Sequence, residues 1–159
     1  MPDAILLVVN EKPHIVKAAP DTPLLYVLRN ELGLMGPHYG CGEEQCGACM
    51  VLVGDKARPS CKLQVSEVGK TRITTLEGLR AEDELHPVQR AFIEEQASQC
   101  GYCLNGMIIT AAALLWKNPH PSDIQIRAAL DGNLCRCGSH LRIIRAVKYA
   151  EALLAEAEG

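Results

Sequence analysis

Up to about residue 78 the apolar positions come in short alternating or continuous runs. Beyond it they recur at helical spacing, so the hydrophobic period changes once along the chain. Residues 4–9 and 13–18 are β-branched and aliphatic runs around Asn10-Glu11-Lys12, which predicts a hairpin. Asp21-Thr22-Pro23 supplies a cap and a first-turn proline, Leu24, Leu25, Leu28 and Leu32 share one helical face, and Gly33 ends that helix. Residues 50–53 and 57–62 read as strands around Gly54-Asp55, and 72–76 as a last strand.

The second half is helical throughout. His86-Pro87 opens an amphipathic stretch that runs to Ala97, and residues 105–117 are apolar almost all round, as in a buried helix. Ser122-x-x-Gln125 is a capping box ahead of 124–130, with Gly132 just past the end. Ser139 is placed to cap a final helix whose stripe is Ile143, Val147, Ala150 and Leu154. The expected fold class is α+β: an N-terminal β-grasp, plant-type ferredoxin-like domain over residues 1–78, then a four-helix bundle over 79–159.

Eight cysteines change the picture from fold to chemistry. They divide into Cys41-x4-Cys46-x2-Cys49-x11-Cys61 and Cys100-x2-Cys103-x31-Cys135-x-Cys137. Four thiolates are the ligand set of one [2Fe–2S] cluster, and the first group opens with the plant-type ferredoxin spacing. The chain therefore reads as a carrier with two [2Fe–2S] clusters. Glycines 40, 42 and 47 suit a loop that turns its backbone N–H groups inward toward sulfur. The second group falls between helices at one end of the bundle, where helix ends present further N–H groups. Arg136, Arg142 and Arg145 are placed to offset an anionic cluster, although Arg145 reads equally well as a solvated helix face.

Blander readings compete. Disulfides also use even numbers of cysteines, but that framework belongs to short secreted chains. Cys100-x2-Cys103 is a common zinc spacing, whereas Cys-x-Cys and Cys-x4-Cys suit tetrahedral zinc knuckles poorly. Composition narrows the partners. The net charge is −3 over 159 residues, and two oxidised centres would bring it to about −7. Together with six scattered aromatic residues, this argues against a nucleic-acid surface. The apolar run at residues 4–9 is too short for a membrane span or a leader core, which predicts a cytoplasmic protein, or one membrane-associated or periplasmic only through a partner subunit. No G-x-G-x-x-G appears, so neither FAD nor NAD is expected on this chain. His14, His38, His86, His120, His140 and Trp116 have no ligand spacing and read as packing or surface.

The strings Tyr39-Gly40-Cys41-Gly42, Cys46-Gly47-Ala48-Cys49, Gln99-Cys100-Gly101-Tyr102-Cys103, Gly106-Met107 and Leu134-Cys135-Arg136-Cys137 carry a specific resemblance. Nearly the whole chain, from residue 4 to about 155, resembles the small iron–sulfur subunit of the molybdenum hydroxylase (xanthine oxidase-like) family. Within it, residues 73–79 and 86–89 are most similar to subunits partnering nicotinate dehydrogenase and isoquinoline oxidoreductase. The resemblance implies a large partner subunit holding molybdopterin cytosine dinucleotide, with the Cys100/Cys103/Cys135/Cys137 cluster nearer molybdenum. Gln99 would hydrogen-bond the pterin and Cys137 would sit against its amino group. Electrons would continue to the Cys41/Cys46/Cys49/Cys61 cluster and then to a flavoprotein, a cytochrome c or another acceptor. Chemistry on the substrate, an N-heteroaromatic compound such as nicotinate or alternatively an aldehyde, would belong to the partner, so the isolated chain should not turn over. A free-standing ferredoxin-like carrier or redox sensor is the reading from another class. Two positions depart from the family pattern: Glu44 stands where glycine is usual, and Asn105 replaces a frequent proline, a change expected to matter little.

Overall fold

The computed structural model describes residues 4–158. Alternation in the first segment produces the expected hairpin. Strand β1 (Ala4–Val9) pairs antiparallel with β2 (Lys12–Lys17), and Asn10 and Glu11 turn the chain with φ of 50° and 67°. Leu7, Val9 and Val16 enter the core while Leu6 and Ile15 face outward, as a period of two requires. Strands β3 (Met50–Val53), β4 (Lys56–Pro59) and β5 (Arg72–Thr74) complete a mixed sheet ordered β2-β1-β5-β3-β4, with only β1 and β5 parallel.

Helix α1 (Leu24–Tyr26) covers this sheet and continues as a π-helical turn over Val27–Glu31. Leu24, Leu25 and Leu28 of the expected face are buried, Leu32 of that face is half-buried, and Val27 is buried beside them. Its entry differs from expectation. Pro23 occupies the cap position, not the first helical one, and no side chain caps the helix. The wider π turn lets the Arg29 guanidinium donate to the carbonyls of Met35 (3.2 Å) and Pro37 (2.9 Å), which steadies the segment entering the cysteine loop.

Two strands are shorter than their hydrophobic runs. Pro59 has no N–H to continue the ladder, so β4 stops there; Ser60 and Cys61 turn inward while Lys62 stays exposed. After Thr74, the buried Thr75 exchanges two 2.9 Å hydrogen bonds with the Asn10 side chain instead of with a strand. The short helix α2 (Val65–Val68), where the Glu67 carboxylate accepts the Gln64 N–H at 3.1 Å, is below the length at which periodicity is readable. A 3₁₀ turn over Leu76–Leu79 leads into the bundle.

Helices α3 (Pro87–Glu94), α4 (Leu104–Lys117), α5 (Asp123–Leu130) and α6 (His140–Glu158) enclose a core that includes Val88, Phe92, Met107, Ile126, Ile143 and Val147. The α5 box is formed, with Ser122 N–H donating to Gln125 (2.8 Å) and Gln125 N–H to Ser122 (3.3 Å). Ser139 does not cap α6 with its side chain, because that hydroxyl is buried without a partner. His86 caps α3, accepting the Val88 N–H on its ring at 3.2 Å. Helix α4 is apolar all round because it packs on the other helices with one face and on β3 and β4 with the other. It is the wall shared by both halves.

That wall admits no side chain at Gly106. A Cβ there would overlap the Gly47 carbonyl oxygen and lie 2.6 Å from Asn133 Oδ1. Gly106→Ala is therefore expected to lower stability by about 1–3 kcal/mol through forced separation of α4 from the cysteine loop. Gly132→Ala, which meets nothing within 4 Å, should stay near wild type. Urea midpoints of the two variants measured side by side check this.

Candidate iron–sulfur sites

Four backbone N–H groups of the first cysteine loop point at thiol sulfur. Glu43, Gln45 and Cys46 donate to Cys41 Sγ at 3.2, 3.3 and 3.4 Å, and Cys41 donates to Cys46 Sγ at 3.3 Å. Such a curl needs left-handed backbone, and Gly42, Glu44 and Gly47 have φ of 70°, 59° and 76°. Gly40 provides clearance, since a Cβ there would lie 2.6 Å from Cys46 Sγ. Cys49 and Cys61 come from the core side, packed together against Leu25. The Ser60 hydroxyl donates to the Cys49 carbonyl at 2.7 Å and holds the two segments together.

The second set gathers at the end of the bundle. Cys100 and Cys103 precede α4, and Cys135 and Cys137 precede α6. Cys100 lies in hydrogen-bonding contact with Cys137, and Cys103 with Cys135. A shallow recess brings these four together with exposed Gln99 and with Ser139. No two of the eight cysteines form a disulfide.

The thiols are tuned in opposite directions. At Cys41 slight burial pushes upward, but the N–H groups of Glu43, Gln45 and Cys46 outweigh it and bring the thiol down to about 7. Burial pushes Cys49 up to about 11 and Cys103 up to about 12. Cys100 is lowered by the Tyr102 N–H and by Cys137. Burial opposes ionisation at Cys135, yet the N–H groups of Ser139, Cys137 and Gly138 and the Cys103 thiol lower it overall. The N–H of Ser139 thus serves the second set, although its hydroxyl does not cap.

These arrangements fit [2Fe–2S] chemistry. The donors are all thiols, N–H groups already face sulfur, and the pairs are Cys41 with Cys46, Cys49 with Cys61, Cys100 with Cys137 and Cys103 with Cys135. Two thiolates per iron is what a two-iron centre uses. Among the described residues no three His, Cys, Asp or Glu side chains are arranged to hold a single ion.

Direct bonds join the two sets. The Tyr102 hydroxyl donates to the Tyr39 carbonyl, and the Leu134 N–H donates to the Cys46 carbonyl at 2.9 Å. The Asn105 amide donates to the carbonyls of Ala48 and Met50, both at 2.9 Å. His38 stacks on Tyr102 with ring centroids 4.6 Å apart, and its ionisation is disfavoured by burial and by Arg29. Exposed Arg136 stands at a cavity of about 150 Å³ between the two sets, beside Cys46, Cys100 and Cys103. The other two arginines are engaged elsewhere: Arg145 pairs with Glu95 (3.5 Å) and Arg142 donates to the Gln96 carbonyl (3.4 Å).

Asn105 corrects the expectation that its replacement of proline matters little, because it is buried and bridges both halves. Its role, like that of Asn133 beside Gly47, escaped the sequence for lack of a periodic or spacing signal. A polar residue in an otherwise apolar helix was the available clue.

Residues 7–83 match a family described as a 2Fe-2S iron-sulfur cluster binding domain, and residues 75–148 match a [2Fe-2S] binding domain. The chain is 56% identical over 150 residues to one of the nicotinate dehydrogenase subunits of Pseudomonas putida, covering 94% of this chain and 96% of that protein. It is 49% identical over 147 residues to the alpha chain of isoquinoline 1-oxidoreductase from Brevundimonas diminuta, covering 92% and 96%. Quinoline 2-oxidoreductase from Pseudomonas putida 86 superposes with a TM-score of 0.91 at 33% identity, over 99% of this chain and 98% of that one. The aldehyde oxidoreductase of Desulfovibrio desulfuricans superposes at 0.92 with 38% identity, over 97% of this chain and only 17% of that one.

The left-handed Glu44 gives a prediction of its own. An L-residue with a Cβ is strained there, so Glu44→Gly should raise the stability of the iron-loaded chain by up to about 1 kcal/mol. A urea midpoint equal to or below wild type would show that the loop stores no strain at this residue.

Proposed function

The chain belongs to the small [2Fe–2S] subunits of the molybdenum hydroxylase (xanthine oxidase-like) family, and from that membership we propose that its complex oxidises an N-heteroaromatic compound of the nicotinate kind. It is the electron-transfer subunit of an oxidoreductase complex, with two [2Fe–2S]-binding domains. The observation that carries the substrate class is identity of 56% and 49%, over nearly full length, to subunits whose names specify nicotinate and isoquinoline. An aldehyde oxidoreductase iron-sulfur-binding subunit of Escherichia coli is more distant, at 38%.

Division of the chain after Gly78 gives each set its own domain, 1–78 and 79–159. Cys41, Cys46, Cys49 and Cys61 would hold one cluster, and Cys100, Cys103, Cys135 and Cys137 the other. When bound, such clusters supply one-electron storage at two points. The chain's residues do the rest: backbone N–H groups stabilise charge on sulfur, the buried thiols exclude water, and α4 keeps the two sets in register. Gln99, exposed beside the second set, has an amide free to meet the pterin of molybdopterin cytosine dinucleotide on a large partner subunit, with Cys137 alongside. A flavoprotein or a cytochrome c is the proposed acceptor on the side of the first set. Among the described residues no helix is long and apolar enough to cross a membrane. A cytoplasmic location is proposed on the reduced state of the thiols that the chemistry requires.

Chemical analysis should find about four irons and four acid-labile sulfides per chain. Cys46→Ser should damage one of two paramagnetic signals and spare the other. About two irons per wild-type chain, or zinc at comparable occupancy, would contradict the two-site assignment.

In the complex with its molybdenum-containing subunit, nicotinate should bleach the visible iron–sulfur absorption, whereas the isolated chain should accept electrons from a chemical reductant and show no turnover. Bleaching by aldehydes alone would move the substrate assignment to that class. Gln99→Ala should retain iron yet weaken cofactor retention or slow reduction by substrate, since a pterin polar group loses its partner.

A further inference from the structure

We propose that Asn105 is a positioning residue that sets how strongly the two cysteine sets are coupled, by holding residues 48–50 against the start of α4. This rests on the reading of the eight cysteines as two [2Fe–2S] sites. Asn105 is 1% exposed, one helical step past Leu104, which itself follows Cys103. Both hydrogens of its amide are used, each on a carbonyl at 2.9 Å, and the two carbonyls belong to the residues on either side of Cys49. The side chain thus ties a position two residues after Cys103 to the two residues that flank Cys49.

Neither carbonyl can be served as well from within the sheet. Strand β5 pairs β3 only at Leu52 and Val53, so Met50 lies beyond its reach. Ala48 receives one other donor, the His38 N–H at 3.0 Å. The opposite amide orientation would set the Asn105 oxygen against two carbonyl oxygens, so the donor arrangement is forced. Asn105 Oδ1 meanwhile stays buried with no partner. A residue serving only to fill this space would be better apolar, since the orphaned oxygen has a desolvation cost.

What the clasp controls is the exchange of one electron between the sites, from the reduced centre of the bundle to the oxidised centre of the sheet domain. No bond breaks and no proton moves in that step, so separation and the intervening bonded contact govern it. Leu134 to Cys46 and Tyr102 to Tyr39 supply the other bonded contacts across this gap, and Asn105 keeps the Cys49 side from drifting away from them. Donation to the Ala48 carbonyl also polarises the peptide whose N–H belongs to Cys49. Loss of that donation makes the surroundings of the first set less accommodating to an added electron.

Two variants of the full chain test this. Asn105→Pro is compatible with a first-turn position, where the backbone N–H has no intrahelical partner. Asn105→Asp keeps the shape but offers at most one donor. Each is loaded, assayed for iron, titrated by potential, and examined in the fully reduced state for the magnetic interaction between its two paramagnetic centres. The expected result is an unchanged iron content, a weakened interaction, several-fold slower equilibration between the centres, and a lower potential at the first set alone. The effects should be larger in Asn105→Pro. If one variant fails to load, the other decides by the same criteria. An unchanged interaction and unchanged potentials at full iron content would overturn the proposal. Wild-type chains with a single centre would defeat the two-site reading instead.

Discussion

A loop whose N–H groups are taken up by sulfur leaves its backbone carbonyls without the loop's own donors, and those packed against a neighbour must be met from it. The cysteine loop between residues 39 and 49 commits four N–H groups to Cys41 and Cys46, and three of its other backbone carbonyls, those of Tyr39, Cys46 and Ala48, are met from the bundle. Tyr102, Leu134 and Asn105 provide those donors, and each lies within two residues of a cysteine of the second set. The loop that turns N–H groups onto one set of sulfurs is thereby bonded to residues beside the other set. The interface between the halves rests on these bonds as well as on apolar contact.

Close approach imposes its own demands on residue size. Gly47 would place a Cβ on Asn133, and Gly106 would place one on Gly47. Both glycines and the apolar girdle of α4 allow the loop and the helix to meet at backbone distance. Glu77 reinforces the entrance, accepting the Gly36 N–H at 2.7 Å from the 3₁₀ turn that links the halves. The linker thus holds the start of the loop whose middle is held by the bundle.

Spacing and periodicity made the local features readable. The hairpin, the buried α4 and the Ser122 box depend on residues a few positions apart, and each formed as expected. The structure brings Cys100, Cys103, Cys135 and Cys137 together at one end of the bundle as their positions between helices suggested. Long-range polar partners were not readable: Asn10 with Thr75 and Asn105 with Ala48 are 65 and 57 positions apart. Asn105 looked minor because its identity was weighed at its own helix and its partner carbonyls have no sequence signature. Ser139 kept its place before α6, but its N–H serves Cys135 and its hydroxyl is buried without a partner.

The oxygens of Asn105 and Asn133 are both buried without partners, close to where the backbones of Gly47 and Gly106 meet. Unpaired buried acceptors cost roughly 1–3 kcal/mol each, and apolar residues of similar volume would avoid that cost. Asn133 spends its amide on Thr110 at 3.1 Å, and Asn105 spends both hydrogens on the cysteine loop. Stability alone does not account for two such amides. Directional bonds restrict the loop to one placement where apolar packing would tolerate several, and a fixed placement is what two redox sites in separate domains need if electrons are to pass between them at a constant rate.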